Sequence, residues 1–79
     1  MTSTPFSFEV EVFGALVPHL ERRQRLVAEG PLTVRDVALR VGVYPEDVGL
    51  ATVNGVQVTL DHDVPPDSRV CLFPPLSGG

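Results

Sequence analysis

The sequence carries one helical pattern, and a helix of that length is not stable alone. Thr33 can cap its first N–H groups, Asp36 completes a capping box three positions later, and Gly42 is the expected stop. A helix of about ten residues is marginal in water, so its single apolar stripe must pack against a sheet. The stripe consists of Val34, Val37, Ala38 and Val41.

Five segments have the pattern of strands. The strands are predicted at residues 6–13, 25–29 and 69–73, with two more inside residues 50–60. Asn54-Gly55 favours a two-residue hairpin turn, because both residues tolerate positive φ. Two segments, 15–24 and 61–68, are predicted as loops.

The order of elements predicts an α+β fold. We expect a mixed sheet of about five strands with the main helix packed on one face, since this arrangement buries an apolar side of each layer. In the first strand one face is apolar, formed by Phe6, Phe8, Val10 and Val12. In the last strand, Val70 and Leu72 are expected inward, with Cys71 and Phe73 outward.

Composition narrows the classes of function. Ten acidic residues oppose six arginines, for a net charge of −4. An acidic chain without a basic stripe argues against nucleic-acid binding. No apolar run approaches the roughly 20 residues of a membrane helix, and the first residues do not resemble a signal peptide, so we expect a cytoplasmic protein with no membrane contact.

The predicted domain shows no active site of its own, so whether the protein counts as an enzyme is left open. His19 and His62 have no metal ligand at suitable spacing, and neither a bound metal nor a bound cofactor is expected. Cys71 is the single cysteine; a small apolar strand residue is its first interpretation, and a nucleophile is the alternative.

The last six residues begin with two prolines, which stiffen the backbone after the last strand, and end with two glycines, which do not hinder the terminal carbonyl. They are predicted as a flexible tail, 74–79, following a domain of residues 1–73, and six extended residues span roughly 20 Å. A terminal glycine fits a narrow channel and leaves its carbonyl open to attack. Its carboxylate can attack the α-phosphate of ATP, giving an acyl-adenylate from which sulfide or a persulfide displaces AMP. An ordinary frayed terminus or a cloning remnant is the alternative.

Together these features resemble the MoaD/ThiS family of ubiquitin-like sulfur carriers, and most of all the small subunit of molybdopterin synthase. The resemblance covers nearly the whole chain and implies the β-grasp fold, with the first and last strands adjacent at the sheet centre. It rests on the motifs Val12-Phe13-Gly14-Ala15-Leu16, Thr33-Val34-Arg35-Asp36-Val37, Val53-Asn54-Gly55 and Leu72-Phe73-Pro74-Pro75-Leu76-Ser77-Gly78-Gly79.

The resemblance implies a cycle and a set of site residues. An E1-like adenylating enzyme, using ATP and Mg²⁺, would activate Gly79; a sulfur donor enzyme would convert it to a thiocarboxylate. The large subunit of molybdopterin synthase would then receive the tail for molybdenum or tungsten cofactor synthesis. Gly78 and Ser77 would lie in the partner's channel. The implied partner-binding residues are Phe73, Pro74, Pro75 and Leu76, although Phe73 could instead be a rim residue covered by a loop.

The sequence departs from the family in two places, and other functions stay open. Pro66-Asp67-Ser68 stands where the family usually has Asp-Gly-Asp, and residues 15–24 lack the usual sequence after the first strand. The alternatives are a sulfur carrier for thiamine or tRNA thiolation, a ubiquitin-like modifier conjugated through Gly79, and an adaptor whose tail does no chemistry.

Overall fold

The computed structural model describes residues 6–14 and 22–75. Within these residues, seven strands and one α-helix follow in chain order, with a 3₁₀ turn after the helix. They are β1 (Phe6–Val12), β2 (Arg23–Ala28), β3 (Leu32–Thr33), α1 (Val34–Val41), the 3₁₀ turn (Pro45–Asp47), β4 (Leu50–Val53), β5 (Val56–Val58), β6 (Asp63–Val64) and β7 (Arg69–Phe73).

Five of the strands form one mixed sheet in the order β2-β1-β7-β4-β5. β1 and β7 are parallel neighbours at the centre, and the other pairs are antiparallel. This confirms the predicted fold, a five-stranded mixed sheet with one helix. Among the described residues, no helix is long and apolar enough to cross a membrane.

The core lies between α1 and the inward face of the sheet. Phe8 and Val10 of β1 are buried there, as are Val70 and Leu72 of β7. All four helix residues of the predicted stripe are buried as well. The N-terminal capping box and the left-handed Gly42 at the C-terminus are both present, so the predicted helix ends are confirmed.

Two sequence predictions about loops were wrong. β2 begins at Arg23, two residues earlier than expected, because Arg23 and Gln24 continue the antiparallel ladder opposite Glu11 and Val10. The segment 61–68 contains the two-residue strand β6, which pairs with β3 just before the helix. Strands this short have too few residues to show an alternating pattern.

Candidate functional site

The chain leaves the sheet at the end of β7, and the last backbone hydrogen bonds there mark the point of exit. The Phe13 N–H donates to the Leu72 carbonyl at 3.0 Å on the β1 side. On the β4 side, the Gly49 N–H donates to the Phe73 carbonyl at 2.8 Å. Pro74 and Pro75 have no N–H to donate, so the ladder stops after Phe73.

An aromatic pair lies beside this exit. Phe13 and Phe73 stack with ring centroids 4.6 Å apart and an angle of 9° between their planes. The parallel register places Val12 opposite Leu72, which puts the next residue of each chain segment side by side. Both rings are half-buried, and the guanidinium carbon of Arg22 lies 5.8 Å from the centre of the Phe13 ring. The result is a partly exposed apolar surface, which we call the exit patch: Phe13, Arg22 and Phe73.

Only some of the predicted partner-binding residues are among those that the structure describes. Phe73 and Pro74 are half-buried, and Pro75 is exposed. The other tail residues predicted to bind a partner or to react lie outside the described residues: Leu76, Ser77, Gly78 and Gly79. Their roles, and the proposed boundary between domain and tail at residues 73 and 74, stay predictions.

Next to the exit patch, the open face of the sheet is charged. Glu11 is 6% exposed, and it accepts a close hydrogen bond from the Arg69 guanidinium. The Arg23 guanidinium lies 3.7 Å from its second oxygen. The hydrogen bond from Arg69 lowers the pKa of Glu11, burial opposes that shift, and the charges of the nearby arginines lower the pKa further.

A further ion pair lies along β1 on the same face of the sheet. Arg25 lies 3.9 Å from Glu9, so each glutamate on this part of β1 has an arginine beside it. Within residues 6–14 and 22–75, no three His, Cys, Asp or Glu side chains come together as a metal site could require.

Sequence reasoning identified Phe73 but not the residues that surround it. Phe13 entered as the last residue of the first predicted strand and, with Gly14, as part of a family motif. Arg22 and Gly49 were assigned no role. The pairing of Phe13 with Phe73 could have been found by setting the two central strands in parallel register. The contact made by Gly49 had no sequence signal, because it depends on the path of the chain after β7.

Comparison with known proteins finds similarity to solved structures. No protein-family model matches the chain, and no curated protein matches it. It is similar to the crystal structure of SAMP1 from Haloferax volcanii, with 28% identity, 92% of this chain and 99% of that chain covered, and a TM-score of 0.69. It is also similar to the solution structure of Urm1 from Trypanosoma brucei, with 14% identity, 99% and 100% coverage, and a TM-score of 0.59.

The fold and these likenesses define a class. The chain has the ubiquitin-like β-grasp fold, on which both comparisons agree. The likeness to SAMP1 supports the general kind of ubiquitin-like sulfur carriers and modifiers that act through a glycine. Sulfur carriers of this kind generally work with E1-like activating enzymes.

Proposed function

We propose that this chain is a sulfur carrier that is activated at Gly79 and delivers sulfur in the synthesis of molybdopterin, the molybdenum or tungsten cofactor. Its partners would be an E1-like adenylating enzyme that uses ATP and Mg²⁺, a sulfur donor enzyme, and the large subunit of molybdopterin synthase. The carrier itself would act in the cytoplasm and bind no cofactor.

The observation that carries this proposal is the way the last strand leaves the domain. β7 is hydrogen-bonded on both sides up to Phe73, and two prolines, which cannot continue the ladder, follow beside the exit patch. A partner that binds the exit patch would lie next to the prolines that precede the proposed reacting residues. The similarity to SAMP1 supports the same general kind of protein.

The chemistry proposed for Gly79 proceeds in two steps. A carboxylate oxygen attacks the α-phosphorus of ATP, the bond between the α-phosphorus and the bridging oxygen breaks, and pyrophosphate leaves. Hydrosulfide then attacks the carbonyl carbon, AMP leaves with the bonding electrons, and one proton is lost to give the thiocarboxylate. With a protein persulfide as donor, a thiol must afterwards cleave the S–S bond to release the same product.

Conjugation to other proteins is the second candidate. The likeness to SAMP1 supports modifiers as well as carriers. A modifier would use the same acyl-adenylate, but an amine of the target would displace AMP and form an amide bond. Delivery of sulfur to thiamine or tRNA would keep the thiocarboxylate and change only the final acceptor.

Intact-mass spectrometry tests the proposal. After incubation with the adenylating enzyme, ATP, Mg²⁺ and a sulfur donor, the chain should gain about 16 Da as sulfur replaces one oxygen. Adding the large synthase subunit and the pterin precursor should return the original mass. Adducts on lysines of other proteins would instead favour the modifier function.

A matched pair of variants fixes the reacting position. One alanine added after Gly79 moves the carboxylate by one residue and should abolish the mass gain. One alanine inserted after Met1 lengthens the chain equally and should leave the mass gain intact. A full gain of about 16 Da in both variants would contradict the assignment to Gly79.

A further inference from the structure

Two glycines lie against the segment that leaves the sheet, one on each side. A Cβ atom placed on Gly49 would lie 2.3 Å from the Pro75 Cα, 2.6 Å from the Pro75 nitrogen and 2.7 Å from the Pro74 oxygen. A Cβ atom on Gly14 would lie 2.7 Å from Cγ and 3.1 Å from Cδ of Pro74. We call Gly14 and Gly49, with Pro74 and Pro75 between them, the exit cradle.

The two contacts are of different kinds. Gly49 touches the backbone of the exit segment, so no change of rotamer could make room for a side chain there. Gly14 touches the ring of Pro74, and its φ of 64° is also one that other residues rarely adopt. The φ of Gly49 is not positive, so the close approach of the Pro75 backbone is the reason that a glycine is needed at this position.

We propose that Gly14 and Gly49 are positioning residues for the reaction at Gly79, a proposal that rests on the proposed function. They hold Pro74 and Pro75 against the domain and so fix the direction in which the following residues leave. The Gly49 N–H, which donates to the Phe73 carbonyl, anchors the same backbone from the β4 side. Pro74 and Pro75 then add nothing to the distance that the chain end can span.

This shorter reach constrains the activating partner. Residues 76–79, fully extended at roughly 3.3 Å each, span about 13 Å, against the roughly 20 Å available if the tail were free from Pro74 onward. The α-phosphorus of bound ATP must then lie within about 13 Å of the cradle. If the nucleotide lies about 13 Å below the surface of the enzyme, that surface must contact the exit patch.

Nuclear Overhauser effects test the cradle without reference to activity. In the wild-type protein, the Hα atoms of Gly49 should show cross-peaks to Pro75 Hα, and those of Gly14 to the Pro74 ring protons. Gly49→Ala should lose the first set. Gly30→Ala is the matched control, because a Cβ at Gly30 meets nothing within 4 Å.

Adenylation kinetics test the positioning role. A displacement of about 1 Å near the reacting group can cost as much as 100-fold in rate, so Gly49→Ala should lower kcat by about tenfold or more. The KM for the carrier should stay within about threefold of wild type, because the exit patch is intact. With Gly-Ser inserted after Pro75 in both chains, the difference between wild type and Gly49→Ala should shrink, which a defect in folding would not produce.

A double-mutant cycle covers the case in which Gly49→Ala fails to fold. Gly14→Ala is made in the wild-type chain and in Pro74→Ala, where the clashing ring atoms are gone. The cost of the positive φ is the same in both backgrounds and cancels, so the remaining coupling reports the contact itself. Gly14→Ala should slow adenylation more in the wild-type chain, which keeps the Pro74 ring, than in Pro74→Ala. Equal effects in the two chains would overturn the Gly14 contact.

The outcomes separate this inference from the function on which it rests. If wild type is adenylated and Gly49→Ala reacts as fast as Gly30→Ala, the positioning role is overturned and the carrier function stands. If wild type shows the cross-peaks but no adenylation, the carrier function fails and the cradle stands. Absent cross-peaks in a folded, active wild type would overturn the cradle.

Discussion

At the scale of single residues, the ionisation of the Glu11 side chain depends on the fold. It is the only buried acidic residue in the described part of the protein, and its carboxylate accepts a hydrogen bond from Arg69 and lies near Arg23. The hydrogen bond from Arg69 keeps the pKa of Glu11 below its ordinary value of 4.5. Folding therefore favours the ionised form of this carboxyl group.

Acidification should weaken the fold partly through Glu11. Because the folded-state pKa is lowered, its stabilising contribution is present above about pH 4.5 and is lost as pH falls through the lower, folded-state pKa. We expect Glu11→Gln to unfold more easily at neutral pH and to show a flatter fall in stability below about pH 5. Urea midpoints across this pH range measure the difference.

Glu9→Gln is the control for that experiment. Glu9 lies on the same face of the same strand, but its side chain is 69% exposed and its arginine is 3.9 Å away. Exposed pairs of this kind contribute little to stability. A pH dependence altered as much by Glu9→Gln as by Glu11→Gln would contradict the assignment to Glu11.

The predictable and unpredictable parts of the site also separate at single residues. Phe73 was expected to face outward because side chains alternate along a strand. The structure places it on the face of β7 opposite to the buried side chains of Val70 and Leu72. Asp67 stands where the resembled family has glycine, and it adopts a φ of 62°. An aspartate can take this conformation, so the loop keeps a left-handed residue despite the substitution. The contact of Gly49 with Pro75 joins residues distant in sequence and left no local pattern.

At the scale of elements, the helix shows the closest agreement between sequence and structure. The Thr33 hydroxyl accepts from the Asp36 N–H at 3.2 Å, and the Asp36 carboxylate accepts from the Thr33 N–H at 3.0 Å. The hydrogen bond that the Thr33 N–H donates to the Asp36 carboxylate, and a second one that the Thr33 hydroxyl donates to it at 3.0 Å, lower the pKa of Asp36. The cap therefore joins α1 to β3, which ends at the capping residue.

Removing the cap should destabilise the domain by a measurable amount. Thr33→Ala leaves the Asp36 N–H without its acceptor, and such losses cost about 1 kcal/mol. Thermal or urea unfolding measures the change, and Thr59→Ala, an exposed threonine outside the helix, is the control. If both substitutions lower the free energy of unfolding equally, the capping hydroxyl makes no specific contribution to stability.

Elements with enough residues to repeat a pattern were predictable, and those without were not. β1 has seven residues and alternates, and the Asn54-Gly55 turn carries its own signal, with φ values of 53° and 85°. β3 and β6 have two residues each, and what defines them is their pairing with one another. The early start of β2 likewise follows from its partner β1 and not from its own residues.

At the scale of the whole molecule, the exit patch is the surface on which the proposed function depends. Phe13→Ala removes half of the aromatic stack without touching the tail. We expect it to raise the Kd for the adenylating enzyme by about tenfold, as truncation of a partly exposed aromatic anchor often does. Isothermal titration calorimetry with the intact enzyme measures this Kd.

Tyr44→Ala is the control for the patch. Tyr44 is 66% exposed and lies next to the 3₁₀ turn, outside the patch. Its truncation removes an aromatic ring of similar size and should leave the Kd unchanged. Comparable weakening by both substitutions would place the docking surface elsewhere, and comparison of unfolding midpoints shows whether Phe13→Ala acts through stability instead.

The parallel pairing at the centre of the sheet has a consequence for biosynthesis. β1 pairs with β7 sixty positions later, and β4 pairs with the opposite edge of the same strand. Contacts that span so much of the chain form late, because a long loop must close first. A nascent polypeptide still lacking residues 69–73 has no middle strand to join its two halves. An unfinished translation product therefore cannot present the assembled face that an activating enzyme would have to bind.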